Sequence, residues 1–221
     1  MLALQDVQVS IDGVRVLRGV TCDLADRMTT VLIGRNGAGK TTTLRAVMGL
    51  VRIDQGSVKL GGDDLRQHPA HHRARAGIGY APEDRRLVAD FSVEDNVRLP
   101  ALALGLDAGE MRRRLDEVYA LLPQLHAMRA RPGGGVSGGQ GKMIALGRAL
   151  MVAQKVLLLD EPFQGLAPAL ALDYARTLGE LRRRRPELML LITESSPKLL
   201  DEIADRTLQI ERGEIVSSRT H

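Results

Sequence analysis

A chain of 221 residues can form one domain with a sizeable core, or one core carrying an inserted subdomain. Hydrophobic residues at 44% and charged residues at 26% describe an ordinary globular protein, while aromatics at 2% with no Trp leave little on which bases or sugars could stack. The net charge of +4 is modest, and Arg112 to Arg114 and Arg182 to Arg185 read as solvated helix faces, so no nucleic acid partner is expected.

In chain order, the apolar runs Leu2 to Ser10 and Gly19 to Leu24 read as strands, and so does Thr29 to Ile33. A glycine-rich loop follows and leads into a helix-like stretch, Lys40 to Gly49. Ser57 to Leu60 with Gly61-Gly62 reads as a strand and turn, and Ile78 to Ala81 as a short strand broken by Pro82. The texture then changes. Ser92 to Asp95 and Asp107 to Glu110 are capping-box patterns, and Met111, Leu115, Val118 and Leu122 recur at helical spacing until Pro123. Residues 87 to 154 are expected to be mostly helical. Val156 to Leu159 and Leu188 to Thr193 return to a buried-strand pattern, and Thr207 to Ser217 reads as a hairpin turning at Arg212-Gly213. This predicts an α/β fold interrupted by a helical insertion: a core of residues 1–86 and 155–221, and a helical subdomain of residues 87–154.

Cys22 is the only cysteine, so no internal disulfide can form, as fits a reducing compartment. MLALQDVQVS lacks a basic start and an apolar core, so no secretory signal is expected. No apolar run approaches the roughly 18 residues a membrane helix needs, and any membrane association is expected to go through a partner.

Three motifs carry chemistry. Gly34-Arg35-Asn36-Gly37-Ala38-Gly39-Lys40-Thr41, continued by Thr42, matches the phosphate-binding pattern G-x-x-x-x-G-K-[ST]. Its glycines let successive N–H groups turn toward phosphate oxygens, and the helix that follows aims its positive end at the same anion. Lys40 reaches the β- and γ-phosphates, and the Thr41 hydroxyl suits Mg²⁺. Val156 to Asp160 is an apolar strand ending in Asp160-Glu161, with Asp160 placed for the metal and Glu161 for polarising a water as general base. Ser137-Gly138-Gly139-Gln140 precedes a helical run from Lys142 to Met151, and two glycines behind an N-cap expose a second set of helix-terminal N–H groups. One nucleotide does not need two such sites from one chain. The arrangement makes sense if two chains pair head to tail.

On these motifs the sequence resembles the ABC ATPase family over nearly its whole length. It is similar in particular to one ATPase of the importers for branched-chain amino acids and related polar solutes. Ile78-Gly79-Tyr80-Ala81-Pro82-Glu83 with Ser92 to Asn96, the run Met143 to Met151, and Gly165-Leu166-Ala167-Pro168 carry that narrower likeness. The resemblance implies a RecA-like P-loop core with an N-terminal antiparallel β subdomain. It also implies ATP and Mg²⁺ as cofactors, and a peripheral place on the cytoplasmic face of a bacterial inner membrane. The implied partners are a second, non-identical ATPase subunit, two membrane permeases and an external solute-binding protein. Glu83 would join Thr41 and Asp160 near the metal, sense the γ-phosphate and relay its state to the permease.

Several positions depart from the family pattern. An aromatic usually stacks on adenine upstream of the phosphate loop, and the matching position here is Ile11, with Val16 near it. Glu194 aligns with a His that contacts the γ-phosphate in many relatives. Phe163, Gln164, Gly141 and Lys142 replace the usual residues around the strand end and after the signature, with no consequence legible in sequence. Glu194 and Ile11 keep open a weakly hydrolysing partner in an asymmetric pair. Urea or amides are alternative solutes, and a soluble role in translation or DNA repair is disfavoured by the single motif set. His68, His71 and His72 lack the companions of a metal site and read as a solvated helix start. The methionines read as core filling or as part of a groove facing the permease, and Arg85 and Arg86 as surface charge.

Overall fold

The computed structural model describes residues 1–221. Strands β1 (Leu2–Ile11) and β2 (Val14–Leu24) form a hairpin across Asp12-Gly13. Both turn residues have positive φ, 50° and 78°, as the tight two-residue hairpin turn requires. β2 therefore begins well before the expected Gly19. β4 (Gln55–Leu60) pairs on the other side of β1, and a short β5 (Asp63–Asp64) completes a four-stranded antiparallel sheet in the order β2-β1-β4-β5.

The second sheet has six strands. It contains β3 (Thr29–Ile33), β6 (Ile78–Ala81), β7 (Val156–Asp160), β8 (Met189–Glu194), β9 (Arg206–Glu211) and β10 (Glu214–Thr220), in the order β10-β9-β3-β8-β7-β6. Every pairing is parallel except the β9–β10 hairpin, which turns at Arg212-Gly213 as expected. The uninterrupted apolar runs of β7 and β8 have a direct cause. Leu157, Leu159, Leu190 and Ile192 pack into one core, and Val156, Leu158, Met189 and Leu191 into another, on opposite faces of the sheet. A central parallel strand covered on both faces cannot alternate apolar with polar residues.

The first core joins the sheet to the helical insertion and to α7 (Pro168–Arg184). The second lies between the two sheets and holds α1 (Lys40–Val47). α2 (His72–Arg75) is a single turn before β6. The insertion consists of α3 (Val93–Leu104), α4 (Ala108–Leu121), α5 (Pro123–Ala127) and α6 (Gly138–Leu150). Its capping signals act as expected, since Ser92 and Asp107 each accept from the backbone N–H three residues on. Two details differ from expectation. Residues 87–92 are not helical, because the buried Asn96 side chain holds that loop, accepting from Val88 N and donating to Val88 O at 2.9 Å each. Pro123 ends one helical run but starts the next, where its missing N–H costs nothing.

Candidate functional site

The phosphate loop runs from the end of β3 into α1, so the N-terminus of α1 opens at the carboxyl edge of the parallel sheet. Gly39 caps the helix at φ 112°, and a Cβ there would lie 2.8 Å from Leu17 Cδ2, so neither the conformation nor the packing admits a side chain. The pocket beside it has a volume of about 280 Å³. Val16, Asn36, Gly37, Lys40, Thr41, Thr42, Glu83, Glu161 and Gln164 are among its lining residues. Val16 is its sole apolar member. Ile11 ends β1 opposite Val14, exposed, and does not line the pocket. Gly34, Arg35 and Ala38 complete the loop around it, and Lys40 Nζ donates to the carbonyls of Gly34 at 2.6 Å and Arg35 at 3.2 Å.

Lys40 also forms a buried ion pair with Glu161, Nζ to Oε1 at 2.9 Å. Glu161 stands just beyond β7 at φ 44°, a left-handed conformation uncommon for a residue with a side chain. Its N–H is held by the carbonyl and the hydroxyl of Thr193, each at 3.1 Å. The preceding residue, Asp160, is the focus of three hydroxyls. Its Oδ1 accepts from Thr41 at 3.0 Å and Thr193 at 2.8 Å, and its Oδ2 from Tyr80 at 3.2 Å. Burial pushes the Tyr80 phenol well above its ordinary value, and the neighbouring Asp160 carboxylate adds to the shift.

These residues suit a Mg²⁺-nucleotide. The loop offers N–H groups, a buried cation and a hydroxyl, and Thr41 and Asp160 set two oxygens side by side. Two protein oxygens fit a Mg²⁺ that takes its other ligands from phosphate and water. No group of three His, Cys, Asp or Glu side chains suited to holding a metal unaided occurs elsewhere in the chain.

The strand after Asp160 brings a correction. Glu194, expected to face the γ-phosphate, is buried at the end of β8 with Oε1 accepting from Phe163 N at 2.9 Å. Burial raises its carboxyl to about 7 against the ordinary 4.5, and nearby Glu161 adds to the shift. The next residue, Ser195, faces the loop instead, with its hydroxyl 3.2 Å from Asn36 Oδ1, 3.4 Å from Glu161 Oε2 and 3.5 Å from Lys40 Nζ. Successive residues of a strand point to opposite faces, so a one-residue alignment difference exchanges the two. Sequence reasoning therefore missed Ser195, and also Tyr80 and Thr193, whose roles depend on which strands are neighbours.

The signature stands apart from this pocket. Ser137 caps α6 in a reciprocal box, accepting from Gln140 N at 3.3 Å while Ser137 N donates to Gln140 Oε1 at 3.0 Å. A Cβ on Gly139 would lie 1.9 Å from Leu170 Cδ2, so a side chain there would displace the Leu170 side chain of α7. None of Ser137, Gly138, Gly139 and Gln140 lines the phosphate pocket. Gly139 and Gln140 instead border an open groove against α7.

A phosphate loop between a central parallel strand and a helix, beside a strand-end Asp-Glu pair, defines a P-loop nucleoside triphosphatase. A family model described as ABC transporter matches residues 17–164. The chain is 34% identical over 203 residues to the lipopolysaccharide export system ATP-binding protein LptB of Acidithiobacillus ferridurans, covering 92% of this chain and 83% of that protein. It is 33% identical over 223 residues to the high-affinity branched-chain amino acid transport ATP-binding protein BraG of Pseudomonas aeruginosa, covering 100% and 93%. Its fold matches MJ0796, a bacterial ABC transporter cassette solved as a dimer, with a TM-score of 0.88 at 19% identity, covering 100% of this chain and 98% of that one. The chain belongs to the ABC transporter family and is one of its ATP-binding, ATP-hydrolysing subunits. No helix in it is long and apolar enough to cross a membrane.

Proposed function

We propose that this chain hydrolyses ATP in a head-to-tail pair of ATPase subunits and thereby drives a membrane permease that imports branched-chain amino acids or related small polar solutes. The observation that carries the paired arrangement is the separation of its two anion-type sites: the Lys40 loop lines one pocket and the Ser137 to Gln140 turn lies outside it. In such a pair the signature of one chain closes on the nucleotide held by the other. ATP supplies a γ-phosphoryl group for transfer to water, with Mg²⁺ assisting. Lys40 exchanges Glu161 for the β/γ oxygens, and Thr41 and Asp160 hold the metal side. Glu161, once released, orients the attacking water and accepts its proton. Ser195 adds a hydroxyl at the same edge, and Glu83 on the loop after β6 lines the pocket where the γ-phosphate would lie. Val16, the one apolar residue lining the pocket, offers the adenine an aliphatic contact in place of a ring.

The solute assignment rests on Gly165-Leu166-Ala167-Pro168 and on the likeness to the branched-chain amino acid transport protein. Its partners would be a non-identical ATPase chain, two permeases and an external solute-binding protein, with this chain peripheral on the cytoplasmic face of the inner membrane. Export of a lipopolysaccharide is the second reading, favoured by the 34% identity to an export ATPase. Isolating the chain with its membrane partners and assaying ATP turnover separates the two. Stimulation by a binding protein loaded with a branched-chain amino acid supports import. Stimulation by lipopolysaccharide, with none by loaded binding protein, overturns it.

A further inference from the structure

Lys142 stands on the signature helix α6, five residues beyond the Ser137 cap, and its side chain leaves the helical insertion to enter the core. Nζ donates to the Glu161 carbonyl oxygen at 2.5 Å. That oxygen also accepts from Gln164 N at 3.2 Å, so the Glu161 peptide is gripped both by its own turn and by another subdomain. The same turn is held again at Phe163 N by Glu194. The charges facing Lys142 come from several elements: Glu194 from β8, Glu83 and Arg85 from the loop after β6, and Glu161 after β7. Burial lowers the ammonium from its ordinary value, and the three carboxylates oppose that shift. Among the side-chain hydrogen bonds made from α6, this is the one that ends on the turn carrying Glu161. Arg148 reaches the carbonyls of Arg85 and Arg86 instead.

We propose that Lys142 is a positioning residue for hydrolysis at this chain's own site, tying the Glu161 peptide, and with it the aim of the Glu161 carboxylate, to the signature helix. The physical case is the conformation of Glu161. A residue at φ 44° leaves that well unless its surroundings hold it. Thr193 fixes the N–H side of the residue, and Lys142 fixes the carbonyl side. Misplacing a reacting group by even an ångström slows a reaction strongly without weakening substrate binding. The strut also makes the base sensitive to any movement of α6, the helix that closes on the partner chain's nucleotide. This inference rests on the reading of Glu161 as the base.

The test uses the full chain, in the transporter complex with which it purifies. Lys142→Met, which keeps the length and apolar stem but not the charge, should lower kcat about tenfold while leaving the KM for ATP within about twofold. Lys142→Arg, which still donates to a carbonyl, should restore at least about half of the lost rate. In the nucleotide-free protein, amide hydrogen exchange at Glu161 and Phe163 should quicken in Lys142→Met and not in Lys142→Arg. If Lys142→Met does not fold, Lys142→Gln carries the same expectations. Unchanged kcat and exchange overturn the proposal, and so does a rise in KM matching the fall in kcat that Arg fails to repair. Glu161→Gln is assayed alongside. A slow Glu161→Gln with a normal Lys142→Met overturns the strut alone, whereas undiminished turnover in Glu161→Gln overturns the base assignment and the strut with it.

Discussion

The ammonium of Lys40 and the carboxylate of Glu161 form an ion pair at 2.9 Å, with both side chains at least nine-tenths shielded from solvent. Each group thus occupies the other's working position. The cation meant for phosphate neutralises the base, and the base cannot orient a water until the cation leaves. Glu161→Gln removes this competitor. It should tighten Mg-ATP binding by about threefold to tenfold, since Lys40 no longer gives up a partner of unlike charge. Turnover should fall by ~10² or more, because an amide cannot accept the water's proton. Equilibrium nucleotide binding and steady-state hydrolysis, measured on one preparation, check both halves. Weaker binding in this variant would show that the pair does not compete with nucleotide.

Lys40→Ala should raise the Kd for ATP by ~10² or more, because it deletes the charge facing the β/γ oxygens. Gly39 and the hydroxyl of Thr43, which donates to Gly39 O at 2.9 Å, keep the loop and the start of α1 in place. Near-normal affinity measured by calorimetry would remove this loop from the site.

Ser137→Arg places bulk and charge at a turn that lies outside the chain's own phosphate pocket. ATP binding by the isolated chain should remain within about twofold of the parent, while hydrolysis by the paired assembly should fall by ~10² or more. Loss of binding in the isolated chain would show that signature and loop serve one nucleotide in cis.

Glu194 makes stability depend on pH. Its folded-state carboxyl, at about 7, lies above the ordinary 4.5, so the folded chain holds this proton more tightly than the unfolded one. Its contribution to stability is therefore full below the ordinary value and is lost as pH rises through about 7. Glu194→Gln keeps an oxygen for Phe163 N and has no charge to bury. At pH 8 it should be more stable than the parent by roughly 1–3 kcal/mol, and the advantage should vanish near pH 4. Urea midpoints at the two pH values check the sign, and an advantage larger at acid pH would contradict it.

The sequence alone determined what short stretches can express. Gly34 to Thr41 is one strand end, one loop and one helix start, and its chemistry needs no residue from elsewhere to be recognised. The caps at Ser92, Asp107 and Ser137 act within four residues, and the turn at Arg212-Gly213 within two, whereas the Asp12-Gly13 turn emerged only with the pairing of β1 and β2. The buried-strand character of Val156 to Leu159 is likewise written in its composition.

Only the tertiary structure decided how these pieces meet. Tyr80 and Thr193 reach Asp160 because β6, β7 and β8 are neighbours in a parallel sheet, with Asp160 opposite Thr193 in register, and Thr41 reaches it because α1 starts at the same edge of that sheet. That strand order is a property of packing, and no local pattern encodes it. Ser195 and not Glu194 faces the loop because the pleat sends alternate side chains to opposite faces, so one residue of register exchanges a hydroxyl for a buried acid. Lys142 departs from the family pattern in sequence, where no consequence of the change is legible. Its charge acquires meaning because α6 packs within reach of the turn after β7, where the ammonium meets the Glu161 carbonyl.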